Sequence, residues 1–434
     1  MSAAAIDAAG SPHPGLWLTA GRLADGTIAF LVFISGFVIV EPSPYDLLLV
    51  AVVFVWSFFG LKINRHFLPM TVLMLAYIAG GLLSLTQMSQ ILGKPVVYMI
   101  TTALLIASAI FYASVVTEAP QRRLRVIRNA YVASAIVVSL IAILAYFNVL
   151  PHSDYFKLYE RAKGTFQDPN VMGPFLVLPG TVLVRDILTR RLRDSLWTIP
   201  GFLIILFAIF LSFSRAAWGL MAFTALAVAF LAYINEPAKR VRFRLVGYLL
   251  GGAATIVLLL AVLISIPAVR DLYEVRAHVV QSYDESRVGR FERQYKGFFL
   301  VQEKPFGIGP EQFAPRYGED EHDMWLKGFT TYGWLGGFSY IILAAWTLAA
   351  AFPLLFKPRP WTPFIQCTYV VLLGHLFIHN VIDNDHWRHL YMIYGLLWGA
   401  IAAEKMLRRR VLRQDSTSSA RAGSGLTTDG LSPT

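Results

Sequence analysis

The chain has little charge, a single cysteine and only one long polar stretch, and each shortage excludes something. Cys367 lies in an apolar run, so an internal disulfide and a cysteine metal cluster are ruled out. Charged residues are 15% of 434 positions, against 56% hydrophobic and 14% aromatic, and no water-soluble core can bury that much apolar surface. The expected solvent is lipid. No periodic repeat or heptad array is present, and no adjoining Ser, His and Asp pattern supports a hydrolase. The first residues, MSAAAIDAAGSPHPG, lack the basic start and cleavage site of a signal peptide, and 1–26 reads as a cytoplasmic tail. The formal charge of +11 raises the question of nucleic acid. Its basic residues nevertheless sit in short clusters between apolar runs, the pattern of membrane orientation, and nucleic acid is set aside.

What is present is a succession of apolar runs, most of them near the ~20 residues that span a bilayer. The fold class expected is all-α: a polytopic transmembrane bundle of about twelve helices. Nine fall within 27–268 and three within 328–406; between them lies one large, partly helical periplasmic loop, 269–327, and after them a disordered cytoplasmic tail, 407–434. Alternate connections carry the basic clusters, among them Lys62 and Arg65, Arg122 to Arg128, Lys357 and Arg359, and Arg408 to Arg413. By the positive-inside rule these are cytoplasmic, as are both termini.

The chemically unusual segments then share the outer face. Loop 269–327 is the densest in reactive groups: an amphipathic pattern, GRFERQYKGFF, a GIGP turn, and EDEHDMWLKGF, where His322 lies among carboxylates. A second outer connection, YERAKGTFQDPN, supplies Arg161, Lys163, Asp168 and Asn170. At SFSRAAW two apolar runs meet with almost no loop, which leaves Arg215 at the membrane surface, where an arginine is costly unless partnered. A snorkelling or helix-capping arginine is the plainer alternative; an anion site is favoured because so little loop is there to solvate it. Arg287, Arg290 and Arg293 recur at a spacing of three, on one helical face, with Glu285 and Glu292 at hand as ion-pair partners if that face is merely solvated. His375, His379 and Asp383, followed by Asp385 and His386, have the spacing of metal ligands, yet such groups at a helix end are more often hydrogen-bonded packing. From its neighbours alone, His322 reads as a surface histidine in an acidic loop.

In order along the chain, RAKGTFQDPN, SFSR, GRFERQYKGFF with PFGIGPEQF, and EHDMWLKGFTTYGWLGG resemble the O-antigen ligase and polymerase superfamily of bacterial envelope glycosyltransferases. The resemblance implies an inner-membrane enzyme that takes a glycan from an undecaprenyl diphosphate carrier, with no cofactor: neither nucleotide sugar nor metal ion. It implies His322 as catalytic base and Arg215 and Arg290 at the lipid diphosphate. Gln294 and Tyr295 stand where the family commonly has Trp, so Arg287 and Arg293 stay open as the phosphate contact. Arg161, Lys163, Asn170, Glu321 and Asp323 are the further expected binding residues, the last two flanking His322 and able to orient it. The acceptor implied is a lipid A core for a ligase, or a growing polysaccharide for a repeat-unit polymerase.

The residue types suit that chemistry. A histidine, with an ordinary pKa of about 6.5, can take a proton from an acceptor hydroxyl, and arginine stays charged beside a leaving phosphate. A polytopic transporter is the reading from another class. It should carry ionisable residues in the middle of its spans and broken helices, and here the midspans are nearly clean. Gly80 and Gly81, and Gly251 and Gly252, would serve either to break helices or to let them pack closely.

Overall fold

The computed structural model describes residues 14–58, 60–190, 198–266, 269–270, 273–274 and 289–424. They form a bundle of helices with one two-stranded hairpin, β1 (Lys157–Leu158) and β2 (Arg161–Ala162), antiparallel with Leu158 opposite Arg161. The helices are α1 (Pro14–Ile34), α2 (Pro44–Phe58), α3 (Leu68–Leu85), α4 (Lys94–Glu118), α5 (Pro120–Tyr146), α6 (Pro169–Thr189), α7 (Thr198–Leu211), α8 (Arg215–Asn235) and α9 (Lys239–Ile264). Then come α10 (Arg290–Glu303), the short α11 (Ala314–Tyr317), α12 (Met324–Ala351), α13 (Thr362–Ile378) and α14 (Arg388–Ser424).

Among the described residues eight helices are long and apolar enough to cross a membrane, and α2, α7 and α13 are shorter apolar helices. The count of twelve is therefore not confirmed, while the helix-bundle class is. Two expected boundaries move. α1 begins at Pro14, ahead of 27, because proline is tolerated in a first turn and the stretch LWLTAGRLA favours a helix. α14 continues to Ser424, through a charged and alanine-containing run without proline or glycine before Gly423.

The apolar surface points both ways, as lipid requires. Leu47, Phe54, Leu226 and Phe230 stay exposed on the outside, while Tyr112, Phe175, Tyr332 and Trp398 are fully buried. Glycine lets the helices approach. A Cβ on Gly80 would lie 2.3 Å from the carbonyl oxygen of Tyr332, and one on Gly395 2.5 Å from that of Ala109, which is how α3 meets α12 and α14 meets α4. Gly80 and Gly81 thus serve packing, and α3 continues unbroken through them; α9 likewise continues through Gly251 and Gly252.

α12 is the broken helix. Gly333 has φ 66° and ψ −176°, and the turn after α10 fills the break. Ile308 N–H donates to the Thr330 carbonyl at 2.7 Å, and Trp334 N–H donates to that of Pro305 at 2.8 Å. Gly307, with φ +76°, fits because a Cβ there would be 2.7 Å from the Thr330 oxygen. GIGP is a turn, as its sequence implies, and it anchors the segment after α10 to α12.

The basic connections gather at one end. Asp25 pairs with Arg122 and Arg123, Asp186 with Arg128, and Glu404 with Lys357 at 2.8 Å and Arg359 at 2.9 Å. Lys62, Glu118 and Arg410 line a common depression. With the basic end inward, a cysteine at Arg408 in a Cys367→Ser background should react with an impermeant maleimide only after cells are permeabilised, and one at Glu303 should react in intact cells. Labelling in the reverse order would invert the bundle.

Candidate functional site

The charged groups opposite the basic end converge on the start of α12. Asp323 caps that helix, accepting the Leu326 N–H at 3.0 Å, and His322 just before it takes a left-handed φ of 49° that turns its ring away from the helix axis. The carboxylate that holds this corner comes from the α13–α14 connection. Asp383 accepts the backbone N–H of Asp323 at 2.9 Å and of His322 at 3.3 Å, and lies 3.7 Å from His322 Nδ1. On the other side of the ring, Nε2 is 4.0 Å from Glu319, which Arg293 of α10 grips at 2.7 Å. The Gln294 amide donates to the His322 carbonyl at 3.3 Å and to that of Asn380 at 3.1 Å. Three separate elements therefore fix one half-exposed imidazole.

Beneath it Lys327, one turn into α12 and buried, faces Asp383 at 3.8 Å and Asp385 at 3.7 Å. Asp385 accepts the hydroxyls of Tyr98 and Tyr332, the latter at 3.3 Å, and Thr102 joins Tyr332 to His386 with contacts of 3.0 Å. Burial acts to raise Asp385, but Lys327, His386 and the two tyrosines outweigh it and hold the carboxyl below its usual range. Asp383 is shifted up, by burial first, against the pull of Lys327.

The flanking acids take other places than the sequence allows for. Glu321, buried, accepts the Thr330 hydroxyl; burial pushes it up to about 7, with Lys327 opposing and Asp383 adding. Asp323 is occupied as a helix cap. The carboxylates beside the His322 ring are thus Glu319 and Asp383, and the second, 61 positions downstream, is out of reach of any local reading. Lys327 is the other residue missed. Its signal was available: an ammonium inside an apolar run demands a partner.

The second group of expected residues sits at the α7–α8 turn. Arg161 in β2, buried, donates to the Ser212 carbonyl and to Asn170 Oδ1, both at 2.8 Å; Asn170 N–H reaches Asp168, the cap of α6, at 2.6 Å. Two sequence motifs are thereby joined, YERAKGTFQDPN and SFSR. Phe213 at φ 47° makes the turn, Ser214 caps α8 with its hydroxyl, and Arg215 follows half-buried as the first helical residue. Lys163 stands 5.5 Å from the Tyr155 ring centre. Arg290 opens α10 half-buried, one turn before Arg293, as the spacing of three requires. Arg287 lies outside the described residues, as does Glu285, and Glu292 pairs with Lys296 at 3.3 Å. The histidines weighed as metal ligands are hydrogen-bonded: His375 to the Val371 carbonyl at 2.8 Å and to His389 at 3.2 Å, His379 to Tyr340 at 2.7 Å and to Asn384 at 3.0 Å.

Residues 200–341 match the family model described as O-Antigen ligase. The match supports the O-antigen ligase superfamily and an O-antigen ligase-like glycosyltransferase activity, with lipid-linked polysaccharide substrates implied. It takes in Arg215, Arg290, Arg293, His322 and Lys327, and leaves Arg161, Asn170, Asp383 and Asp385 outside. No curated protein matches the chain.

Glu321 gives this corner a pH signature. With its pKa moved from 4.5 to about 7 by folding, the folded state keeps a proton that the unfolded chain has lost between those values, so stability falls as pH rises through that window. Glu321→Gln keeps the shape and removes the titration. Relative to wild type, the variant in detergent should gain thermal stability on going from about pH 4.5 to above pH 7, and a difference that is flat in pH would show that Glu321 does not titrate there.

Proposed function

We propose that the chain transfers a glycan from an undecaprenyl diphosphate-linked donor to an acceptor hydroxyl at the periplasmic face of the inner membrane. The observation that carries this reading is the His322 ring held between Asp383 and Glu319 at the polar start of a membrane helix, with Arg290 one turn from the arginine that grips Glu319.

The chemistry runs in one displacement. The acceptor oxygen forms a bond to the anomeric carbon while the bond from that carbon to the diphosphate oxygen breaks, and its electron pair leaves with the lipid diphosphate. His322 takes the hydroxyl proton, Asp383 beside Nδ1 favouring the tautomer that leaves Nε2 free to accept. Arg215 and Arg290 meet the charge that builds on the leaving phosphate, and a planar guanidinium matches two phosphate oxygens at once. No residue in this scheme needs a metal ion or a nucleotide sugar. Arg161 and Asn170 act through Arg215: their bonds fix the turn from which it projects.

Arg215→Ala and Arg290→Ala should each lower transfer roughly a hundredfold or more, equivalent to about 3 to 4 kcal/mol of lost charge-assisted contact in a dry site, with the protein still in the membrane. Arg→Lys should rescue poorly, since a point charge does not replace a fork. His322→Ala should lower turnover about a hundredfold with donor binding little changed, in a reconstituted assay with a defined lipid-linked donor. Near-normal turnover in His322→Ala sinks the base assignment. The glycan profile of a deletion strain assigns the acceptor: free lipid-linked polymer with an unmodified core means ligase, and single repeat units mean polymerase.

A further inference from the structure

The basic end of the bundle holds a cavity that the proposed reaction does not use. It measures about 320 Å³ and lies between α5, α6 and the start of α13. Among the described residues four arginines line it: Arg125 and Arg128 from α5, Arg185 from α6 and Arg190 just after it. The one carboxylate among the described lining residues is Asp186, and it is already shared, bonded by Arg128 and 3.3 Å from Arg190.

The remaining arginine charge is not cancelled by a second described carboxylate in the lining. Arg185 donates through Nε at 3.1 Å and through a terminal nitrogen at 2.9 Å to Gln366, a neutral partner that orients the guanidinium without cancelling it. Arg125 is exposed at the mouth. Most of the rest of the described lining is apolar, Leu124, Val182, Phe364 and the buried Trp361, with Gln121 and Thr189 as neutral polar exceptions. A cavity that joins excess guanidinium to hydrocarbon, at the basic end of a bundle of helices long and apolar enough to cross a membrane, fits a ligand that is anionic at its head and greasy behind it.

We propose that this cavity binds the phosphate of an anionic membrane phospholipid, with Arg125 and Arg185 as its principal contacts. Arginine is the residue for this task, because its fork reaches two phosphate oxygens and its charge does not depend on pH in the working range. Occupancy ties α5, α6 and α13 together at one end, so a bound lipid raises the melting temperature as well as being retained.

The test uses the purified full chain in detergent, titrated separately with phosphatidylglycerol, phosphatidylcholine and inorganic phosphate, and read by native mass spectrometry and by thermal melting. Phosphatidylglycerol should be retained about tenfold better than phosphatidylcholine, and Arg125→Gln and Arg185→Gln should each lower that retention about tenfold. Arg125→Lys should keep more of it than Arg125→Gln. Because Arg125 is exposed, Arg125→Gln leaves the lipid-free melting temperature unchanged and decides the matter even if Arg185→Gln fails to fold. Equal retention of the two lipids, or undiminished retention in Arg125→Gln, overturns the proposal. Stabilisation by inorganic phosphate equal to that by phosphatidylglycerol overturns the lipid assignment and makes the site one for soluble phosphate.

Discussion

An ammonium group one turn inside an apolar helix has to be met by carboxylates, and the end of the bundle opposite the basic connections is arranged around that demand. Lys327 is buried in α12, and Asp383 and Asp385 answer it from the connection between α13 and α14. Because that connection must come to the lysine, Asp383 also arrives beside His322 and Asp323 and takes their backbone N–H groups. One electrostatic requirement thereby fixes both the start of a membrane helix and the position of an imidazole. Removing either carboxylate leaves a buried positive charge short of a partner, a change that in buried pairs costs about 3–5 kcal/mol.

The fold was legible to the extent that hydropathy and basic clusters report it. Apolar runs became helices, the basic connections came together at one end, and GIGP became a turn. Its limits were local ones. A hydropathy pattern alone does not mark α1 as beginning at Pro14 or α14 as running to Ser424; those ends follow from a first-turn proline and helix-forming residues, which apolar runs do not report. The break at Gly333 was hidden for another reason. TTYGWLGG reads as small residues for close packing, and only the turn after α10, brought there by the chain between, shows why a helix should open at that glycine.

For the site, the sequence carried the identity of the groups better than their partners. Arg215 stands out because an arginine is costly at a near-loopless turn between apolar runs, whereas His322 and Arg290 are picked out by the family resemblance, and His322 by itself reads as a surface histidine. That Arg293 pairs with Glu319 and not with Glu292, or that Asp383 and not Glu321 stands by the ring, depends on which way each backbone turns. Sequence neighbours are poor candidates for this job when the residue between them has a left-handed φ, as His322 does, because they then leave in different directions.

The geometry also says how the polar segment before α12 is held in register with the apolar helices. α10 is tethered twice: at its first turns by Arg293 to Glu319 and by Gln294 to the His322 carbonyl, and after its last turn by the exchange of backbone hydrogen bonds between residues 305–308 and 330–334. The second tether needs no particular side chain at either partner; it needs Gly307 and Gly333, since a Cβ on Gly333 would lie 2.8 Å from the Phe306 carbonyl carbon. Two attachments at opposite ends of a fourteen-residue helix remove most of its freedom to tilt or slide. Arg290, at the start of that helix, is held by the same constraint that positions His322. Under the proposed reaction, Arg290 and His322 would have to keep their separation while substrates come and go, and the two tethers of α10, one of side chains and one of backbone, are what would hold it.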